Sequence, residues 1–301
     1  MDNSQLFTFG HFAGINNVDK SYRVPSIRNN AGVVYTDMDA LENVDIDNSF
    51  ALSTRDGSDL KLAGTDVHSI WADGETCLFV DLDRLYSLSE LYARTEVLSG
   101  LTLGERISYA PVNDRIYFTN KGYIGYFHNL LATALSDPNI SFKLPLPAGQ
   151  RIAYYRGRLY VAKGKVLYIS DALCDHYDIR TGFRVFENDI TMVREVDNGI
   201  YVADGKTWFL QGAEPDEFQK AKVSDSDVIP FTDCLISGLL VGDGIAGNLA
   251  IWTSTDGICV GDNSGAVKNL TRARYYMASH GIGGSAVRNL NGQVHYITSI
   301  E

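Results

Sequence analysis

A short pattern centred on a large aromatic residue recurs six times along this chain, and it limits the fold more strongly than any other feature. Each copy reads apolar residue, aromatic residue, apolar residue or threonine, then a turn and a second apolar run. The central aromatic residues are Phe79, Tyr117, Tyr160, Tyr201, Trp252 and Tyr296. They recur at intervals of roughly 40–50 residues, a period typical of the blades of a β-propeller.

Turn signals separate the strands within each copy. Pairs such as Lys163-Gly164, Asn198-Gly199 and Asp204-Gly205 supply the positive φ that two-residue hairpin turns require. Three antiparallel strands joined by such turns form a meander, which is the unit of a blade. The sequence therefore predicts an all-β fold, a β-propeller of six blades. The longest interval, between Tyr201 and Trp252, leaves open a seventh, degenerate blade.

The two ends of the chain predict how the ring closes. The sixth copy ends almost at Glu301, and residues 40–62 contain strand-like runs that lack the aromatic motif. Because exposed strand edges promote aggregation, we expect these N-terminal strands to pair beside the strand at residues 293–299 of the C-terminal blade. Before these strands, asparagine and proline residues interrupt any regular pattern of apolar residues. The sequence therefore predicts an extended N-terminal arm at residues 1–35 and a single propeller domain at residues 36–301.

Two connecting segments carry local predictions. The apolar run at residues 130–135, followed by Asp137-Pro138, favours a short helix within residues 129–140. The polar, charged segment at residues 213–226 favours a surface loop.

The charge balance excludes some partners. The chain has 26 basic and 37 acidic residues, a net charge of −11, which argues against specific nucleic-acid binding and against adhesion to anionic membranes. No run approaches the ~18 apolar residues of a membrane helix, so we expect no membrane insertion. Met1–Ser4 has no basic segment followed by an apolar one, so we expect no secretory signal. The four cysteines lack zinc-ligand spacing, and we expect reduced thiols, with Cys77 and Cys259 in the core.

A search for catalytic motifs predicts no catalytic residues, no cofactor and no metal. The six histidines are scattered and form no zinc-binding pattern. Gly242–Gly247 matches G-x-G-x-x-G, but a strand is predicted to follow at 249–253 where a dinucleotide site needs a helix. We therefore interpret it as a hairpin turn, and we expect that the protein is not an enzyme.

Two sets of charged residues, paired aspartates and scattered arginines, allow a metal site or a sialidase-like site to be considered. Pairs of aspartates spaced by two could share one face of a strand and bind calcium, although turn and surface positions explain them better: Asp37 with Asp39, Asp45 with Asp47, Asp81 with Asp83, and Asp225 with Asp227. A sialidase would need an arginine cluster, and Ser254–Gly257 faintly resembles its Asp-box. The arginines that could converge at a ring centre, or equally lie at strand edges, are Arg28, Arg55, Arg84, Arg115, Arg158 and Arg194.

Four N-terminal motifs, in this order, resemble a family of virion structural proteins of tailed bacteriophages. They are Phe12–Val18 (FAGINNV), Glu42–Asp47 (ENVDID), Leu52–Gly57 (LSTRDG) and Val67–Trp71 (VHSIW). Members of that family open with a G-I-N-N arm, an N-V-D-I-D strand, an R-x-G turn and an H-S-L-W strand. Here Ile70 replaces the usual leucine. The resemblance covers roughly the first ninety residues best, and the blades agree only in general pattern.

The resemblance implies a structural component of a phage particle. We expect it in the tail (nozzle, tip or connector region), assembled in the bacterial host cytoplasm and acting by assembly with other virion proteins. Self-association around a symmetry axis, through residues 1–30, is a further expectation. The alternatives are a receptor- or glycan-binding propeller at the tail extremity, with Tyr154-Tyr155 or Tyr275-Tyr276 at a pocket, and a sialidase-like glycan hydrolase.

Overall fold

The structure is a computed structural model that describes residues 59–241, 246–271, 281–290 and 293–301. It also describes the backbone of five short strands nearer the N-terminus: β1 (Phe12–Ile15), β2 (Ile27–Arg28), β3 (Val34–Met38), β4 (Val44–Ile46) and β5 (Leu52–Thr54). β3 pairs with β1 in parallel and with β2 antiparallel, and β4 pairs with β5. The predicted arm and the predicted ring closure fall mostly outside the described residues and stay predictions.

Five four-stranded antiparallel sheets and a final hairpin follow one another along the rest of the chain. Sheet 1 contains β6 (Val67–Ala72), β7 (Cys77–Asp81), β8 (Arg84–Leu88) and β9 (Arg94–Leu98). Sheet 2 contains β10 (Ser108–Val112), β11 (Arg115–Asn120), β12 (Tyr123–His128) and β13 (Leu131–Ala134). Sheet 3 contains β15 (Arg151–Tyr155), β16 (Arg158–Lys163), β17 (Val166–Ile169) and β19 (Phe183–Val185), and β14 (Lys143–Pro145) pairs separately with β18 (His176–Asp178).

The C-terminal part continues the same plan. Sheet 4 contains β20 (Met192–Val196), β21 (Gly199–Ala203), β22 (Thr207–Gln211) and β23 (Gln219–Ser224), with a 3-10 helix at Pro215–Glu217. Sheet 5 contains β24 (Cys234–Ser237), β25 (Asn248–Ser254), β26 (Gly257–Gly261) and β27 (Val267–Asn269), with the short helix α1 (Gly238–Val241) between β24 and β25. The final hairpin pairs β28 (Gly283–Leu290) with β29 (Gln293–Ile300).

The recurring aromatic residue lies on the second strand of each of the five sheets and of the hairpin, from Phe79 on β7 to Tyr296 on β29. The predicted meander of strands around each motif is therefore confirmed. Between Tyr201 and Trp252, the described residues form β22 to β24 and the two short helices, all attached to sheets 4 and 5. The extra length of this interval lies in those connections.

The hydrophobic core consists of successive layers between neighbouring sheets. One layer joins sheets 1 and 2, and the next three join sheets 2 and 3, 3 and 4, and 4 and 5. A fifth layer joins sheet 5 to the hairpin through Val287, Val294 and Tyr296. Face-to-face burial of this kind explains why each middle strand is apolar on both sides, since both faces of the sheet meet a neighbour.

Tyr201 illustrates why a large aromatic residue occupies the motif. Its ring lies 5.4 Å from that of Trp252 in the next sheet, and its hydroxyl donates a hydrogen bond to the Asp262 carbonyl at 2.6 Å. A β-carbon at Gly261 would lie 2.5 Å from the Tyr201 ring, so glycine is needed at this close approach. Flat side chains thus fill the space between sheets, as the motif predicts.

Two local predictions were wrong. Residues 131–134 form the outer strand β13 rather than part of a helix, because the backbone from Gly125 to His128 pairs with it. Residues 215–224 form the 3-10 helix and β23 rather than a loop, because β22 needs a fourth strand beside it. In both cases pairing with a neighbouring strand overrides the local sequence signal.

All four cysteines are free thiols. Cys259 is buried, as predicted, whereas Cys77 is only half-buried. Over the described residues, no helix is long and apolar enough to cross a membrane.

Candidate functional site

The first strands of consecutive sheets lie side by side. β10 contacts β15, β15 contacts β20, β20 contacts β24, and β24 contacts β28. Five charged residues, four near the start of β10, β15, β20 and β24 and one after the end of β29, are in contact or in electrostatic reach of one another. We call this set the axial cluster: Arg106, Arg151, Arg194, Asp233 and Glu301.

Arg194 and Asp233 form a buried ion pair between sheets 4 and 5. Arg194 Nε donates to Asp233 Oδ2 at 2.8 Å, and Arg194 Nη2 lies 2.6 Å from the same oxygen. The Asp233 side chain is only 4% exposed. Burial alone would raise the pKa of Asp233, but the positive charges of Arg194 and Arg151 outweigh it and hold that pKa below its usual value. Both members of the pair therefore stay ionised at neutral pH.

Arg151 is buried without a carboxylate partner. It is 2% exposed, its Nε donates to the Thr191 carbonyl at 2.6 Å, and its guanidinium carbon lies 3.4 Å from the centre of the Phe231 ring. Within the described part of the chain, no carboxylate lies within 4.0 Å of this guanidinium, and Nη1 and Nη2 have no hydrogen-bond partner. Burial lowers the pKa of Arg151 to about 10, so the side chain still carries its charge at neutral pH.

Arg106 links the last strand of the chain to the segment that leads into β10. Its Nη2 donates to Glu301 Oε1 at 2.7 Å. The next residue, Ile107, donates its backbone N–H to Ser69 Oγ at 2.8 Å, and Tyr109 donates its hydroxyl to the Ser69 carbonyl at 2.9 Å. Strand β6 of sheet 1, the start of sheet 2 and the end of the final hairpin therefore meet beside the axial cluster.

The groups around the axial cluster are poorly suited to nucleophilic catalysis. Burial raises the pKa of the Cys234 thiol, which lies 3.0 Å from Ser285 Oγ, and a protonated thiol is a weak nucleophile. Burial also raises the pKa of Tyr296 to about 12 and that of Tyr109 further. Both phenols donate to backbone carbonyls, Tyr296 to Thr232 and Tyr109 to Ser69. The arrangement favours binding of an anion over attack on a substrate.

Two buried polar atoms nearby lack a partner within the described residues, His68 Nε2 and Glu195 Oε2. Desolvation lowers the pKa of His68 and raises that of Glu195. Burial therefore shifts both side chains toward their uncharged forms.

The arginines predicted from sequence divide between the axial cluster and the sheet edges. Arg194 belongs to the cluster. Arg84, Arg115 and Arg158 each begin the second or third strand of a sheet, next to a hairpin turn. Arg84 pairs with Glu96 at 2.8 Å and Arg158 with Glu214 at 2.7 Å. The side chains of Arg28 and Arg55 lie outside the described residues.

Sequence reasoning missed Arg106 and Arg151 as members of this site. Arg106-Ile107-Ser108-Tyr109 and Arg151-Ile152-Ala153-Tyr154 share the pattern Arg-Ile-small-Tyr, but the strand registers place Ser108, not Arg106, at the position equivalent to Arg151. The shared pattern therefore gave no usable signal.

The two aspartate pairs that the structure describes bind the backbone or a neighbouring lysine, with Asp81 buried and Asp225 and Asp227 exposed. Asp81 accepts backbone N–H groups from Thr65 and Asp66, both at 3.0 Å. Asp225 accepts from Lys222, and Asp227 accepts from the N–H of Val228. No three histidine, cysteine or carboxylate side chains are grouped to hold a metal ion in the described residues. The side chains of the pairs at 37/39 and 45/47 lie outside that part of the chain.

The two glycine-containing motifs connect strands. Residues 242–245 lie outside the described residues, but Gly242–Gly247 falls between β24 and β25, which pair antiparallel. The strand predicted at 249–253 is confirmed by β25. Ser254–Gly257 forms the turn from β25 to β26, and Ser254 Oγ donates to the Gly257 carbonyl at 2.9 Å. Ser254–Gly257 therefore has a structural role, and the interpretation of Gly242–Gly247 as a hairpin turn stays a prediction.

A second feature is a cavity of about 290 Å³ between sheets 2 and 3. Its lining includes Tyr117, Tyr154, Arg115, Leu173 and Cys174. Tyr154 faces this cavity while its neighbour Tyr155 is 4% exposed in the core, which is the inward–outward division expected of adjacent residues on a strand. The pair at 275–276 lies outside the described residues.

No protein-family model and no curated protein matches the sequence. Among solved structures, BBS1N in complex with ARL6DN superposes with a TM-score of 0.50 at 11% identity, over 86% of this chain and 87% of that one. The chain is a β-propeller. The WD40 β-propeller domain of Doa1 gives a TM-score of 0.44 at 19% identity, covering 67% of each chain. The Pan2 WD40 domain of Neurospora crassa gives 0.47 at 9% identity, over 73% of this propeller and 68% of that domain. These likenesses concern the fold alone.

Proposed function

We propose that this propeller is a structural component of a tailed-bacteriophage particle, placed in the tail and acting by assembly with other virion proteins. The observation that carries the proposal is the ordered set of four N-terminal motifs, from Phe12–Val18 to Val67–Trp71, which resemble virion structural proteins. The last of these motifs coincides with most of β6, the first strand of the first blade. The resemblance thus leads directly into the propeller.

Polar cross-links between blades support a mechanical role. Ser108 Oγ bonds the backbone of Ile152 in the next blade, and its partners are the N–H at 3.1 Å and the carbonyl at 3.3 Å. Thr119 Oγ1 likewise accepts from and donates to the Gly149 backbone. Buried polar groups that are satisfied across an interface fix one arrangement of the parts they join. Rigid connections between successive blades suit a component that must hold its shape within an assembly.

Exposed apolar side chains support a contact surface. Ile140, Phe142, Leu144 and Ile179, which lie on or beside the small β14–β18 sheet, are 53%, 56%, 45% and 42% exposed. Phe142 also accepts the Ile179 N–H at its carbonyl, so the two segments are adjacent. Apolar patches of this kind commonly mark protein–protein contacts.

Deletion of residues 1–30 tests the assembly proposal. We expect the full chain to form a symmetric oligomer, and the shortened chain to remain a folded monomer with an unchanged thermal midpoint, because the blades keep their core. Light scattering after size-exclusion chromatography measures the mass, and circular dichroism checks the fold. If the shortened chain assembles as the full chain does, residues 1–30 do not mediate self-association.

Cryo-electron microscopy of the particle tests the location independently. The proposal expects rings of this propeller in the symmetric density of the tail. A particle whose density has no place for the chain would overturn the proposal, whatever the result of the deletion.

The cavity between blades 2 and 3 favours a second candidate, a glycan-binding propeller at the tail extremity. Aromatic rings beside a polar opening are suited to stacking on sugars, and Tyr117 and Tyr154 line this cavity. We expect Tyr154→Ala to abolish binding on a glycan array, while Tyr92→Ala, which alters a half-exposed tyrosine outside the cavity, leaves binding unchanged. An intact protein that binds no glycan would remove this candidate.

A further inference from the structure

The charges of the axial cluster do not balance. Arg194 pairs with Asp233, and Arg106 pairs with Glu301. Arg151 is the third cation and has no paired carboxylate among the described residues, although it is 2% exposed. Asp233 opposes the charge of Arg151 from beyond ion-pair distance but is already paired with Arg194. A buried charge that no ion pair compensates in full is unfavourable, whereas an anion supplied from outside would compensate it.

The surroundings of Arg151 leave one edge of its guanidinium free. The Thr191 carbonyl accepts the Nε hydrogen at 2.6 Å, and the Phe231 ring covers one face at 3.4 Å. The two terminal nitrogens, Nη1 and Nη2, have no acceptor within the described residues. Two parallel N–H donors on these atoms match the two oxygens of a carboxylate.

We infer that the axial cluster is a binding site for one carboxylate group, held end-on by Nη1 and Nη2 of Arg151. A single negative charge neutralises the single unpaired cation. A phosphate dianion would leave an excess negative charge beside the buried carboxylate of Asp233, which is 4% exposed. The inference does not depend on the proposed virion role.

The carboxylate could belong to an acidic side chain of a docked protein or to a small free acid. Both present the same two oxygens, and the site recognises that shared chemistry. Because the nearby Cys234 thiol is held protonated by burial and the phenols of Tyr109 and Tyr296 are bonded to carbonyls, the ligand would be bound without being converted.

Thermal unfolding of the full chain in sodium acetate tests the site. At pH 7 and constant ionic strength, replacing chloride by acetate should raise the midpoint of the wild type along a saturating curve, since a ligand that binds the folded state stabilises it. Arg151→Gln should abolish the acetate dependence, while Arg84→Gln, which alters an arginine that is 51% exposed, should keep it. Absence of a saturating rise in the wild type, or an equal rise in Arg151→Gln, would overturn the inference.

A conservative variant and a second probe keep the test decisive if Arg151→Gln does not fold. Arg151→Lys retains the charge but loses the paired donors, so we expect the acetate dissociation constant to rise by about tenfold. Inorganic phosphate at the same ionic strength should bind the wild type more weakly than acetate does. The inference that Nη1 and Nη2 of Arg151 hold a carboxylate would be contradicted by equal acetate affinity in Arg151→Lys and the wild type. It would also be contradicted if the wild type bound phosphate more tightly than acetate.

The source of the carboxylate is resolved by a third probe, a blocked tripeptide with glutamate at its centre. Tighter binding of this peptide than of acetate would indicate a carboxylate borne by a protein. Equal affinity would indicate a small free acid. Both outcomes presuppose that acetate itself binds through Arg151.

Discussion

Replacement of Trp252 by alanine is expected to lower the free energy of unfolding by about 3–5 kcal/mol, the usual cost of removing a buried large aromatic side chain. Trp252 is 1% exposed and is the largest of the fully buried side chains. Its ring lies between blades 4 and 5, 5.4 Å from Tyr201. The cavity left by the substitution would separate the two blades at the centre of their shared layer. Urea unfolding followed by circular dichroism measures the loss.

The control for this substitution is Leu91→Ala. Leu91 is also apolar but is 90% exposed, so its removal should change the free energy of unfolding by less than about 0.5 kcal/mol. Trp252→Phe should lie between the two, because the smaller ring fills part of the cavity. If Trp252→Ala were as stable as Leu91→Ala, the layers between the blades would not be the main source of stability.

The sequence pattern predicted the inner part of each blade well and the outer strand poorly. The middle strand β21, for example, is buried at all five residues. Burial restricts these positions to apolar or small residues, and the motif is therefore easily recognised. The outer strands differ, since β13 has three exposed residues of four and β23 has four of six. An edge strand that buries little side-chain area shows no regular alternation of apolar and polar residues. Its position is fixed by backbone pairing alone, so the sequence pattern does not reveal it.

The axial cluster was only partly predictable for a related reason. Its polar contacts join residues that are distant in sequence: Arg151 with Thr191 and Arg194 with Asp233 are about one blade apart, and Arg106 with Glu301 is further still. Local sequence reveals a charged residue at the start of a strand but not what the next blade places opposite it. The repeated Arg-Ile-small-Tyr pattern at Arg106 and Arg151 would even have misled, because the strand registers make Ser108 the equivalent of Arg151. The lack of an ion-paired carboxylate at Arg151 among the described residues could be recognised only in the structure.

Asp233→Asn is expected to lower the free energy of unfolding by about 3–5 kcal/mol at pH 7, the cost of breaking a buried ion pair by removing one partner. The substitution keeps the size of the side chain but removes its charge. Arg194 would then remain 19% exposed, and Arg151 2% exposed, without the one carboxylate that opposes both charges. Urea unfolding at fixed ionic strength measures the difference from the wild type.

The cost of Asp233→Asn should depend on pH in a defined direction. Because the pKa of Asp233 is held below its usual value in the folded chain, its contribution to stability is fully present above the unfolded pKa of about 3.9 and is lost as the pH falls through the folded pKa. The wild type and the variant should therefore differ by a constant amount from pH 7 to pH 5. Below about pH 4 the difference should shrink, because the wild-type carboxylate also becomes neutral.

Glu96→Gln provides the matched control, because Glu96 pairs with Arg84 at 2.8 Å but is 42% exposed, with Arg84 51% exposed. Solvent screens such a pair, and its loss should cost less than about 1 kcal/mol. Both variants remove one carboxylate that is ion-paired with one arginine, and Asp233 also opposes the charge of Arg151, so the difference between the variants reports burial together with that second charge. If Asp233→Asn cost no more than Glu96→Gln, or if its cost did not shrink in acid, the axial cluster would be solvated. In that event Arg151 would not need an external counter-charge, and the two results together would also weaken the case for a carboxylate site.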